Sequence, residues 1–550
     1  MLLSVAVAAA LFVVPMKSAW AQGEKPMAVV AAQSVDQLME HMDYLAKAAG
    51  QTDQATMARG AVTALGEGMD TTRPLGAIIT SGGEPVKLAV FVPVKDMDKL
   101  MAAVQEMPGM GPPEDVGDGI SRMGGLQPAY IKSVGNWAFV APEKEFLTDV
   151  PADPSALLDG LNEKYAVAVR AYVQNIPAED KQMMLDLMKE GMAPGMERLP
   201  GEGEDEFAVR KKMVENQLEQ MQMLMEEMDQ LTIGWGVDAQ AKQTYFDIEV
   251  TAVPGTDLAE ETKLVTEAAS QFAGFLRDDA AMSAHFVFKA AESDIEEAVT
   301  TMQAFRTNAM KEIENQNLGD DAEAAAKEVM ELMFDVAEAT VKQGKIDGGA
   351  VVLLGDSPCF AAGGLVADGQ KLDEALRKLA AVAAEEPDFP EIKWDAEVQG
   401  TVKLHTMSIP IPEPQAREMF GEELEVVIGT SDSSIYVAAG KNAVTTLKEI
   451  LVASSARAGE QRMPVEITIA LKPILEFAGK FAPPAGMMAG MLEDAGDKLT
   501  IVESPIENGA RVRITIEEGI IKAAGGAVGM LMTGFGGEEP AFDEDFDDGF

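Results

Sequence analysis

Gly76-Ala-Ile-Ile-Thr-Ser-Gly-Gly-Glu-Pro85 and Gly349-Ala-Val-Val-Leu-Leu-Gly-Asp-Ser-Pro358 are the two stretches on which the reading of this chain turns. Each is a short aliphatic run, a Gly-containing turn and the start of a returning strand, with Gly, Ala, Gly and Pro in the same places. Val and Ile suit an extended backbone because their branched side chains pack well on a pleated surface, and Gly supplies the turn. In each stretch the returning strand leads to a helix, Met97 to Val104 in one and Leu372 to Val382 in the other.

A single likeness of this kind means little, since short Val/Ile runs recur in most proteins. Here the order of elements recurs after roughly 260 to 300 residues. Residues 129–144 mirror 426–441 as a hairpin with a tight polar turn. Tyr165 to Ile176 mirrors Pro464 to Ile474, a strand running into a helix. Leu231-Thr-Ile followed by Phe246-Asp-Ile-Glu-Val250 matches Leu499-Thr-Ile followed by Val512-Arg-Ile-Thr-Ile516, and Val29 to Leu38 matches Phe286 to Ile295. The predicted fold is therefore α+β: two copies of one module, residues 24–265 and 282–525, each of mainly antiparallel strands joined as hairpins and backed by amphipathic helices.

The copies differ in their insertions. Between Pro177 and Leu231 the first carries a Met-rich helix, a Gly/Pro loop over Ala193 to Asp205 and a long second helix. In the second, Met302 to Val341 reads as one or two helices broken near Asn315 to Asp320, and the proline-rich Pro387 to Pro414 reads as extended or loop. Residues 526–550 form a Gly-rich linker and an acidic tail, too charged to bury itself and expected to be disordered.

The start of the chain reads as an address. Leu2 to Val14 is apolar apart from Ser4, and Ala19-Trp20-Ala21 has the small-x-small pattern of a signal-peptidase site, so residues 1–21 are expected to be removed, leaving Gln22 first. Such a run is shorter than the roughly 20 residues needed to span a bilayer. The expected location is periplasmic or extracellular, with no integral membrane segment after cleavage. A single cysteine, Cys359, excludes an intramolecular disulfide. Asp plus Glu number 91 against 44 Lys plus Arg, a net charge of −47. That field repels nucleic acid and anionic lipid.

Val351-Val-Leu-Leu-Gly-Asp-Ser-Pro358 resembles the first block of the GDSL (SGNH) hydrolases. The resemblance implies a nucleophile at Ser357, and with it a late Asp-x-x-His to take the proton. None of His41, His285 and His405 has Asp three residues before it, and the position matching Ser357 is Glu84. Met221, Met223, Met225 and Met228 offer thioethers of the type that holds Cu(I). Val214, Leu218, Met221, Met225 and Met228 are, however, spaced as a buried helical seam. Asp543, Asp545 and Asp547 alternate as in a calcium loop, but Gly549 is one place late and the bidentate Glu is missing. No His/Cys zinc spacing and no phosphate-binding loop occurs.

No catalytic, cofactor-binding or metal residue is assigned, and no cofactor is implied. The whole chain is similar in general style to exported bacterial proteins of duplicated α+β type, a likeness that carries over no functional residue. The expectation is a non-enzymatic envelope or extracellular protein that binds an unknown protein or small-molecule partner. The alternatives are a GDSL-like serine hydrolase centred on Ser357 and an acidic protein with weak divalent-cation binding.

Overall fold

The computed structural model describes residues 25–534, apart from 53–55, 57–58, 61–65, 81–86, 107–110, 125–127, 316–318, 385–388 and 493–495. The expected signal segment, Glu84 and the acidic tail lie outside the described residues.

The fold is mixed α+β around one large antiparallel sheet. Its first ten strands are β1 (Pro26–Ser34), β2 (Pro74–Thr80), β3 (Lys87–Pro93), β4 (Pro113–Asp115), β5 (Ile120–Met123), β6 (Ala129–Val134), β7 (Trp137–Ala141), β8 (Val167–Tyr172), β9 (Met228–Asp238) and β10 (Gln243–Ala252). After the short β11 (Ala268–Ala269) come β12 (Met282–Lys289), β13 (Lys345–Leu353), β14 (Cys359–Leu365), β15 (Lys393–Gln399), β16 (Val402–Pro410), β17 (Glu423–Thr430) and β18 (Ser434–Gly440). The chain closes with the short β19 (Gln461–Arg462), then β20 (Val465–Ala470), β21 (Lys498–Ile506) and β22 (Gly509–Glu517).

In space the order is β4-β5-β6-β7-β3-β2-β1-β8-β9-β10-β22-β21-β20-β12-β13-β14-β18-β17-β16-β15, every neighbour antiparallel. The strands β11 and β19 pair separately. Register holds across this width. One row of cross-strand partners runs from Phe139 through Phe91, Gly76, Ala31, Ala168 and Gly234 to Asp247. It continues through Arg513, Val502, Glu466, His285, Gly349 and Gly363 to Tyr436. Successive side chains on a strand point to opposite faces, so this row marks one face of the whole sheet.

That face carries two apolar cores. Val29, Phe91, Phe139, Leu158 and Tyr165 belong to one, and Phe275, Val351, Tyr436, Leu447 and Ile450 to the other. The glycines of the two opening stretches make room for aromatic rings here. A β-carbon on Gly76 would come within 2.7 Å of Phe91 Cζ, and one on Gly349 within 2.8 Å of Phe275 Cβ. On the other face Ala28, Ala171, Leu231 and Val250 pack against Leu224 and Leu258.

The helices are α1 (Val35–Ala48), α2 (Met97–Gln105), α3 (Leu161–Lys164), α4 (Ala178–Met192), α5 (Glu204–Glu227), α6 (Asp257–Thr262), α7 (Glu292–Asn315), α8 (Asp320–Lys342) and α9 (Gly369–Ala383). They are followed by α10 (Pro414–Phe420), α11 (Ala443–Ala456), α12 (Leu471–Gly479), α13 (Pro483–Gly490) and α14 (Glu518–Gly534). Their starts are written locally. Ser34 and Gln37 form a capping box at α1, and Asp96, Thr256 and Asp368 accept from backbone N–H groups at the starts of α2, α6 and α9. The expected break near Asn315 to Asp320 separates α7 from α8, and much of the proline-rich stretch forms β15 and β16. Among the described residues no helix is long and apolar enough to cross a membrane.

Candidate functional site

A concavity with a volume of about 1380 Å³ lies between α5, α6 and α7. Asn216 on α5 donates to Glu297 Oε1 on α7 at 2.6 Å, and Glu227 at the end of α5 accepts from Leu258 N of α6 at 2.8 Å. These bonds hold the walls together. Ten of the lining side chains are carboxylates and one, Lys212, is basic. Burial raises the Glu261 carboxyl above the usual range, and the charges of Asp294 and Glu227 push it the same way.

A second polar cluster sits where β10 meets β22. Asp247 is fully buried and accepts from Tyr165 Oη at 2.8 Å and from Arg513 Nε and Nη2 at 2.7 Å each. Lys164 pairs with Glu249, and the Arg513 guanidinium lies 4.2 Å from the centre of the Tyr245 ring. Burial and the bond to Asp247 raise the Tyr165 hydroxyl well above its ordinary value. A fork-on-carboxylate pair of this kind fixes geometry and offers no free base.

The histidines are distributed apart. His405 Nδ1 accepts from Asp395 N at 3.0 Å, so its proton is on Nε2, which lies 2.8 Å from Asp373 Oδ1 and 3.0 Å from Thr430 Oγ1. Both nitrogens are thus committed to holding β16 against its surroundings. His41 Nε2 lies 2.8 Å from Gln33 Oε1. His285 is fully buried with neither nitrogen bonded, and burial pushes its pKa down to about 4.

Ser357 lies in the turn between β13 and β14, where it accepts from Asn442 Nδ2 at 2.9 Å. Beside it, Lys441 Nζ donates to Asp356 O at 3.2 Å. Cys359, two residues on, is buried, and burial raises its thiol. The methionines divide between packing roles. Met225 packs with Met184 and Leu185 of α4, while Met228 opens β9 and packs with Ala171 and Val250. Among the described residues no three His, Cys, Asp or Glu side chains are grouped to hold a metal ion.

The sequence reading does not single out the Asp247–Arg513 pair. The available signal was a charged or polar residue inside an otherwise apolar strand. No family model matches the chain, and no curated protein or solved structure matches it.

Proposed function

We propose that this is an exported, non-enzymatic binding protein made of two copies of one module, which takes a cationic ligand in the cleft between their helices. The observation that carries the reading is where the cleft falls along the chain: α5 and α6 lie within residues 24–265 and α7 within 282–525, the two stretches read here as copies. Ligand sites commonly form where two such units meet. The carboxylate lining sets the sign of the charge that would be held there.

Duplication is supported by the strand order, which reads the same outward from the β10–β22 junction on both sides. Within the register row, Gly76 answers to Gly349, Gly234 to Val502 and Asp247 to Arg513, as the quoted sequence blocks align them. The row adjusts two other blocks, setting Ala31 against His285 and Ala168 against Glu466. A non-catalytic role is supported by the bonds that occupy Ser357 and His405.

The test is calorimetric titration with spermine and with oligolysine at low and at physiological ionic strength. Binding should weaken steeply with salt and fall at least about tenfold in the variant Glu227→Gln/Glu261→Gln/Asp294→Asn, which removes three facing charges. Absence of binding at low salt, or equal binding by the variant, sinks the proposal.

A further inference from the structure

From Phe481 to Leu492 the chain reads Phe-Ala-Pro-Pro-Ala-Gly-Met-Met-Ala-Gly-Met-Leu, twelve residues without a charge in a protein where one residue in four is charged. This run holds the turn after α12 and all of α13. The two helices meet backbone to backbone, since a β-carbon on Gly479 would come within 2.7 Å of Gly486 Cα. Phe477 and Phe481 meet edge to face, with ring centres 5.8 Å apart. No side chain of α13 is polar, and a helix apolar all round is ordinarily covered by a protein core or by lipid. Here Ala489 alone in α13 is buried. Phe481 is 54% and Met487 59% exposed, and Pro483, Pro484 and Gly490 are exposed with them. Scattered apolar side chains on a surface need no explanation, but a contiguous group marks a contact.

The charges that flank this tip among the described residues are basic. Lys480 is exposed, its Nζ 5.2 Å from the centre of the Phe477 ring. Lys522 is exposed on α14 between Gly519 and Gly526, the glycines that stand against Leu492 and Met491 of the hairpin. Lys472 and Glu476, further back on α12, lie 3.9 Å apart and offset each other. Asp497 belongs to the opposite end of the hairpin, where its Oδ2 accepts from Lys472 N at 2.7 Å.

We propose that the α12–α13 tip inserts into a zwitterionic phospholipid bilayer, with Phe481 and Met487 among the acyl chains and Lys480 and Lys522 on the phosphates. Area selects lipid over a second copy of the chain. Phe481 and Met487 together offer on the order of 200 Å², against roughly 800 Å² per partner in a stable protein interface. Insertion has no such threshold, because its strength grows with whatever apolar area it buries. Charge points the same way: two tips paired about a two-fold axis would bring the same lysines together, whereas head groups offer them phosphate. The head group is zwitterionic because a chain of net charge −47 is repelled by an anionic surface.

This surface is separate from the interhelical cleft and is tested with its own probe. The protein is mixed with phosphatidylcholine vesicles at physiological ionic strength and floated on a density gradient. Wild type should rise with the vesicles, and Phe481→Asp/Met487→Asp should leave at least about tenfold less protein with them. Both positions are more than half exposed, so the double variant should melt as wild type does. Val398→Asp, at a position 61% exposed on β15 at the far edge of the sheet, should float like wild type. Wild-type protein that stays below the vesicles overturns the proposal without any variant. Equal flotation of the folded double variant, or an equal loss in Val398→Asp, would do the same. So would a lipid-free dimer that Phe481→Asp/Met487→Asp splits, since a second copy would then be what covers the tip.

Discussion

Two buried side chains make opposite predictions about charge. His285 faces Asp347 and Arg462 but bonds to neither, and its pKa is held at about 4 against 6.5 for an unperturbed imidazole. As pH falls below about 6.5 the unfolded chain takes up a proton that the folded chain refuses. Stability is therefore fully present above that pH and declines by about 1.4 kcal/mol per unit, about 3 kcal/mol in all by pH 4. Urea denaturation at stepped pH should show this slope, with His285→Ala flatter by about one proton over the same window. Asp247 is the reverse case, a buried charge that is fully met. Asp247→Ala would leave the Arg513 fork and the Tyr165 hydroxyl without their acceptor, at a cost of about 3 to 5 kcal/mol. Asp247→Leu combined with Arg513→Leu should recover much of that loss in a double-mutant cycle, since apolar replacement removes the stranded charge as well.

At the scale of elements, packing against glycine is the sharpest constraint. Gly349→Ala would drive a β-carbon into Phe275, inside a core that also holds Tyr436 and Leu447, and should lower stability by about 1 to 3 kcal/mol. Thermal melts of the variant against wild type would show it. The elements most legible in the sequence are those with strong local signals: β2 and β13 with their Gly-bounded aliphatic runs, the β6–β7 hairpin, and the helices α2 and α9. The short β4 has no counterpart in the sequence reading, and the polar β15 is covered only by the reading of Pro387 to Pro414 as extended or loop. β4 is Pro-Glu-Asp, and β15 is mostly exposed and carries Asp395 at a positive φ, so neither shows alternation. The methionine spacing places Met228 last in a buried helical seam, whereas it opens β9. The packing it makes was legible in the methionine spacing, and the boundary was not. The candidate sites were the least legible part. That Asp247 meets Arg513 follows from a strand pairing across 266 residues of chain, and no periodicity within β10 reveals it.

For the whole molecule the decisive feature is that both sets of strands belong to one sheet, joined by a ladder of nine partners from Gln243 and Glu517 to Thr251 and Gly509. Asp247 and Arg513, at the middle of that ladder, are 266 residues apart in the chain. A ribosome adding about 5 to 20 residues per second would leave β10 waiting on the order of ten to fifty seconds for β22 to emerge. During that interval the growing polypeptide presents a long, flat strand edge, the kind that pairs with whatever strand it meets. A fragment ending at Gln271 makes that waiting state permanent. It should self-associate through β10 and elute as a dimer or larger, and restoring residues 272–534 should return it to one chain per particle. The last strand made is thus the one that shields the earlier half from its own copies, which places the risk of misassembly in biosynthesis rather than in the finished protein.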